Sequence, residues 1–139
     1  MAYRTRVKVR FGDEDHAGIV YFPRFFDFFH CALEDFFNDN GHKYQEVIDV
    51  HKVGWPAVHI EADFKQPLRF GDVFEVDVWV ERLGERSATF AFKGQRGSDG
   101  VEVARCKLVS ACIDMRSFKA QVIPDVYRAF LSRFMTPPE

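Results

Sequence analysis

The sequence predicts an α+β domain in which one long helix lies against a curved antiparallel sheet. Three observations carry this. Phe25, Phe28, Phe29, Ala32, Leu33, Phe36 and Phe37 recur at alternating steps of three and one, which is one stripe of a 3.6-residue helix. Much of the remaining chain alternates apolar and polar residues with period two and is punctuated by turn signals. A stripe made mostly of phenylalanine needs a large apolar cover, and a sheet is what the other elements can supply.

The chain opens with a strand over residues 3–11, with Tyr3, Thr5, Val7, Val9 and Phe11 on one face and Arg4, Arg6, Lys8 and Arg10 on the other. The basic side suits a solvated edge or an anionic partner. An acidic, glycine-punctuated loop follows, and then the helix. Pro23 suits the first helical position because the missing N–H would be an orphan there. Asn38, Asn40 and Gly41 supply the stop. Residues 42–52 fit a short helical turn or two through Tyr44, Val47, Ile48 and His51, ended by Gly54-Trp55-Pro56.

Ala57–Phe64 alternates again, with Val58, Ile60, Ala62 and Phe64 on one side and His59, Glu61 and Asp63 on the other. Pro67 and Gly71-Asp72 mark a turn. Val73–Val80 is a strand mixing valines and Trp79 with Phe74, Glu75 and Asp77, and Gly84 closes it. Ser87–Lys93 follows, and Arg96-Gly97-Ser98-Asp99-Gly100 is a hairpin signal. Val101–Asp114 reads as one long strand that interleaves Val101, Val103, Arg105, Lys107, Val109 and Ala111 with its other face. Pro124 starts a C-terminal helix with Val126, Tyr127, Phe130, Leu131 and Phe134 on its apolar side, and residues 136–139 read as a frayed tail. Sequential strands joined by tight turns make a mostly antiparallel sheet.

Composition narrows the class. At 139 residues the chain is expected to be one domain, 1–139, with no internal repeat, low-complexity segment or linker to argue for a second. A hydrophobic fraction of 47% excludes disorder as the main state. The net charge of −2, with both signs scattered, argues against nucleic-acid binding driven by bulk charge. Lys and Arg interrupt every apolar run well short of a membrane span, and the N-terminus lacks the apolar core of a signal peptide. Cys31, Cys106 and Cys112 have neither metal-ligand nor CxxC spacing, so free thiols in a reducing, cytoplasmic compartment are expected. No nucleophile elbow, Walker loop or dinucleotide fingerprint is present, and neither metal nor cofactor is expected.

The chemistry concentrates in the loop. Asp13, Glu14, Asp15 and His16 crowd three acids and an imidazole between a strand end and a helix start. Such a cluster also suits a plain surface turn. Against that, it adjoins the apolar run Ile19-Val20-Tyr21-Phe22, where carboxylates are less well solvated and suited to acid/base or nucleophilic work. Gly18 and Pro23 bracket a chain reversal that aims the helix start at the loop. A helix N-terminus offers free N–H groups to a developing oxyanion, and the Phe22 amide is the natural donor just before Pro23.

The stretch FGDEDHAGIVYFPRFFDFF resembles the opening of the hotdog-fold acyl-CoA thioesterases of the 4-hydroxybenzoyl-CoA thioesterase type, a group that includes the YbgC-like enzymes. The shared pattern is D-x-D, then A-G-x-V-Y/F, then a long central helix. GWPAVHIEADFKQPLRFGD resembles the family's second strand and following turn, so the likeness covers nearly the whole chain. It implies a hotdog fold and thioester hydrolysis. Asp15 falls on the catalytic carboxylate, acting as nucleophile or general base. The Phe22 N–H falls on the oxyanion donor and Gly18 on the glycine that turns the loop, while Asp13 falls on an acid read as structural. Arg86-Ser87 resembles the basic-plus-hydroxyl pair that meets nucleotide phosphates. His16, Tyr21 and His30 are expected to line the substrate. His16 stands where the hydroxybenzoyl enzyme has proline, and His30 where it uses a carboxylate to recognise the phenol. YbgC-like members carry histidine at the position of Phe22. The activity class therefore transfers better than the substrate, for which an aromatic or medium-length acyl group is expected. The resemblance also implies at least a dimer, often a tetramer, with the active site at the interface. An acyl-carrier-protein thioesterase and a non-catalytic acyl-CoA-binding module are the alternatives.

Overall fold

The computed structural model describes residues 1–139. Eight strands and three helices follow in the order β1 (Tyr3–Lys8), α1 (Arg24–Asp39), α2 (Tyr44–Asp49), β2 (Val53–Gly54), β3 (Ala57–Phe64), β4 (Val73–Leu83), β5 (Ser87–Arg96), β6 (Glu102–Ala111), β7 (Ile113–Asp114), β8 (Lys119–Ala120) and α3 (Asp125–Ser132). The main sheet has the order β1-β4-β5-β6-β3 and every pairing is antiparallel. A hotdog fold results, with α1 as the filling and the sheet wrapped round it.

Helix α1 buries all seven stripe residues. Its rings meet the inward side chains of the sheet: Phe29 lies 5.3 Å from Phe92 and 5.8 Å from Phe74, and Phe36 lies 4.9 Å from Phe130 of α3. Pro23 stands one position earlier than expected, as the N-cap, a difference within the usual play of helix ends. At the other end Gly41 takes φ +86°, His42 N–H donates to Phe37 O at 3.0 Å, and the orphan carbonyls of the last turn are satisfied. Tyr3 and Thr5 hydroxyls of β1 donate to Asp39 and Asp35, tying the first strand to this helix.

Several expectations are corrected. Strand β1 ends at Lys8, so Phe11 does not share its face; it sits on a short 3₁₀ turn (Phe11–Asp13) and is 77% exposed. The strand expected over 101–114 breaks at Cys112, where Cys112 N–H turns away to Arg86 O. The chain then joins a second small sheet, β2-β7-β8, which the sequence did not announce. Inward positions of β6 are Ala104, Cys106, Leu108 and Ser110, while Arg105 and Lys107 face water. Strands β4 and β5 each run three residues further than expected. Val126 is exposed rather than on the buried side of α3. No helix is long and apolar enough to cross a membrane.

Strand β3 is unlike the other long strands. It pairs only with β6, and Val58, Ile60 and Phe64 remain exposed. Its free edge and apolar side chains are both open.

Candidate active site

The acidic loop is a small hairpin. Asp15 N–H donates to Ile19 O at 3.0 Å, Tyr21 N–H to Asp13 O at 2.9 Å, and Glu14 bridges to Val20. Gly18 takes φ +77°, a conformation that suits glycine, and its N–H returns to Asp15 O. Val20 is buried and its N–H donates to Leu68 O, anchoring the hairpin on the turn after β3. Sequence-local turn chemistry and one apolar anchor thus fix where Asp15 sits.

Asp15 accepts the Ala17 N–H on Oδ1 at 2.8 Å, an Asx turn that orients the carboxyl and leaves Oδ2 without a partner. Phe22 N–H makes no hydrogen bond, although Tyr21 O and Phe22 O both accept from the first turn of α1. A free backbone donor at a helix start is suited to a developing negative charge. Asp13 Oδ2 accepts Arg10 N–H and its carbonyl accepts Tyr21 N–H, a structural part in holding the loop. Glu14 Oε2 accepts Phe70 N–H at 3.0 Å. His16 is exposed without a hydrogen-bond partner, and the half-exposed Tyr21 ring packs 5.7 Å from Phe22. Phe22 in turn lies 6.3 Å from Phe64, so this cluster stands at the Phe64 end of β3.

His30, Arg86 and Ser87 do not join that cluster. His30 lines an apolar cavity of about 540 Å³ with Leu33, Trp55, Ala57, Leu108 and Met115, at the Ala57 end of β3. Its Nδ1 meets Glu34 Oε2 at 2.9 Å, one helical turn on. Tyr44 closes the cavity; burial, then the Glu34 charge, push its hydroxyl up to about 12. Arg86 and Ser87 form the β4–β5 turn, where Ser87 O accepts Gly84 N–H and the Arg86 guanidinium lies 3.8 Å from Glu85. Arg128 of α3 clamps this turn through the Gly84 and Glu85 carbonyls. Asp15 belongs to the other end of β4, roughly 30 Å away along an 11-residue strand. The cavity walls Tyr44, Trp55, Met115 and Phe118 and the His30 partner Glu34 were not foreseen. Only the i,i+4 spacing of His30 and Glu34 could have signalled any of them.

Two of the four cations of the basic stripe, Arg4 and Arg6, are neutralised. Arg4 binds Asp77 through two nitrogens at 2.8 and 3.1 Å, and Arg6 binds Glu75 at 2.8 Å. The Arg6 bond, then the Gln95 bond, hold the Glu75 carboxyl below its ordinary range. No set of three His, Cys, Asp or Glu side chains converges as metal ligands.

With this geometry in hand, comparison with known proteins is specific. Residues 9–131 match the thioesterase-like superfamily. The 1,4-dihydroxy-2-naphthoyl-CoA hydrolase of Gloeothece citriformis is 30% identical over 135 residues, covering 96% of this chain and 92% of that one. A thioesterase-superfamily structure from Jannaschia sp. CCS1 superposes with a TM-score of 0.92 at 28% identity, covering 98% of this chain and 94% of that one. A gentisyl-coenzyme A thioesterase superposes with a TM-score of 0.81 at 27% identity, covering 94% and 99%. The chain belongs to the thioesterase-like superfamily, shares its hotdog fold and is an acyl-CoA thioesterase.

Proposed function

We propose that the protein hydrolyses aromatic acyl-CoA thioesters, with Asp15 and the Phe22 N–H at the reacting carbonyl. The observation that carries this is the pairing of a carboxylate with one unengaged oxygen and a backbone N–H with no partner, on one small hairpin at a helix start. The thioester oxygen accepts from Phe22 N–H. Asp15 adds to the carbonyl carbon, or takes a proton from the water that adds, and the tetrahedral oxyanion forms against the N–H. Collapse breaks the C–S bond, releasing CoA thiolate and leaving the free acid or an acyl-Asp15 anhydride that water then opens. A thiolate is a good leaving group, so a dedicated general acid is not required.

The open β3 edge supports a homodimer. Two β3 strands paired antiparallel set the Phe64 end of one against the Ala57 end of the other, bringing the partner's cavity and its Arg86-Ser87 turn beside this Asp15. In that arrangement the acyl group fills the cavity and Arg86 and Ser87 meet the CoA phosphates. His30 deepens the substrate reading. Nδ1 is engaged by Glu34, which leaves Nε2 as the ring nitrogen available to a ring hydroxyl of the substrate. The loop motif supports grouping with the 4-hydroxybenzoyl-CoA thioesterase type, and the relatives' names point to hydroxylated aromatic thioesters. Arg4 and Arg6 are already paired, which weakens the docking of an acidic carrier protein on that part of β1.

The test is thiol release from butyryl-, benzoyl-, hydroxybenzoyl- and 1,4-dihydroxy-2-naphthoyl-CoA by wild type and Asp15→Asn. The variant is expected to lose about 10²-fold or more in rate while remaining folded. Full activity in Asp15→Asn removes Asp15 from the chemistry. A preference for butyryl-CoA overturns the aromatic reading.

A further inference from the structure

The tetrapeptide Arg-Phe-Gly-Asp occurs twice, at 10–13 and at 69–72, and both copies close with the same pair of hydrogen bonds, although Gly71 takes φ +93° while Phe11–Asp13 forms a 3₁₀ turn. In each, the aspartate Oδ2 accepts the arginine N–H at 2.8 Å, and the aspartate N–H donates to the arginine carbonyl at 3.0 Å. The turns are stitched side by side by Val9 N–H to Asp72 O and Gly71 N–H to Val9 O. Phe11 and Phe70 therefore stand together with ring centroids 5.8 Å apart, yet remain 77% and 56% exposed. Arg10, Arg69 and the nearby Lys8 are exposed, and none of their charged groups makes an ion pair or hydrogen bond. The turn aspartates spend their carboxylates on their own backbones, and Asp72 lies a further 3.9 Å from Arg96.

We propose that this twin turn is a docking tip for an anionic lipid surface. Two rings held out on rigid turns and rimmed by unpaired cations complement an apolar layer beneath negative headgroups. A small-molecule ligand fits less well, because five surface cavities are defined by residues other than Phe11 and Phe70. A protein partner fits less well too, since two rings and three cations fall far short of the area a stable interface buries. The tip lies where β1 meets β4, on the sheet edge opposite β3. Its Glu14–Phe70 bond joins it to the Asp15 hairpin, so docking sets that end of the molecule at the lipid surface. The proposal does not depend on the acyl group.

The test is sedimentation with sucrose-loaded vesicles, either pure phosphatidylcholine or its equimolar mixture with phosphatidylglycerol. Wild type is expected to bind the anionic vesicles, more weakly as salt rises. Phe11→Ser with Phe70→Ser is expected to weaken partitioning on the order of 10²-fold. Arg10→Gln with Arg69→Gln, which keeps both turns, is expected to weaken it about 10-fold or more. Hydrolysis of a soluble thioester is expected to be unchanged in both variants. No binding of wild type to anionic vesicles overturns the proposal, as does binding that neither pair of substitutions alters. A fall in oligomeric mass of the Phe11→Ser/Phe70→Ser protein by light scattering would reassign the tip to a contact between copies. Binding to an acidic carrier protein that both variants abolish would reassign it to a protein partner.

Discussion

Gly94→Ala tests how tightly the sheet is packed beneath the helix that carries the candidate site. A Cβ at Gly94 would overlap Cζ and Cε1 of Phe74 and lie 3.0 Å from its Cε2. The ring has nowhere easy to go. Phe74 is fully buried, with Phe25, Phe28 and Phe29 of α1 at 5.6, 6.1 and 5.8 Å. Adding one methyl group against so fixed a ring costs about 1–3 kcal/mol, and the upper half of that range is expected. Urea unfolding followed by fluorescence reads the loss as a lower midpoint at unchanged slope. Phe74→Leu alone removes ring volume and destabilises. In the Gly94→Ala background it relieves the overlap, so the double variant should be more stable than the sum of the single costs by about 1 kcal/mol or more. A Gly94→Ala protein within about 0.5 kcal/mol of wild type, or strictly additive double-variant costs, would refute the packing argument.

Two further outcomes are expected. The Arg105 bond, then the Lys65 bond, lower the Glu102 carboxyl to about 2, so its pairing stabilises the fold above the ordinary carboxylate range. That contribution should vanish as pH falls from about 4.5 towards 2, and Glu102→Gln should flatten the loss in acid unfolding curves. Cys106 is buried and its thiol is pushed up to about 12, whereas Cys31 is exposed. Burial and the nearby Glu34, Asp35 and Asp27 charges also raise the Cys31 thiol, so Ellman's reagent should modify that one thiol of the native protein slowly but first, and the remaining two only on unfolding. Rapid labelling of Cys106 would contradict its place on the inward face of β6.

Much of the fold was legible because it rests on periodicity. The phenylalanine stripe is set by the 3.6-residue repeat, and all seven positions are buried. Gly41 could be read as a helix stop because a left-handed residue there needs no Cβ. Val9 and Phe11 continue the alternation past the end of β1, yet an aspartate three residues after Arg10 captures the Arg10 N–H and turns the chain. The break at Cys112 left no local mark. It depends on partners at Pro56, Arg86 and Gln121, which only the folded chain brings together.

The sequence by itself determined the helix, the turns, the β4-β5-β6 succession and the acidic loop, since each follows from interactions between near neighbours, whereas β1 beside β4 and β3 beside β6 are long-range pairings. Tertiary structure alone decided the rest. It left the Phe22 N–H unpaired, paired Arg4 with Asp77 across 73 positions of sequence, and walled the cavity with Trp55, Leu108 and Met115. It also separated Arg86 from Asp15 by the length of β4. Those facts depend on register and on which distant residues share a face, and no local pattern encodes that distance.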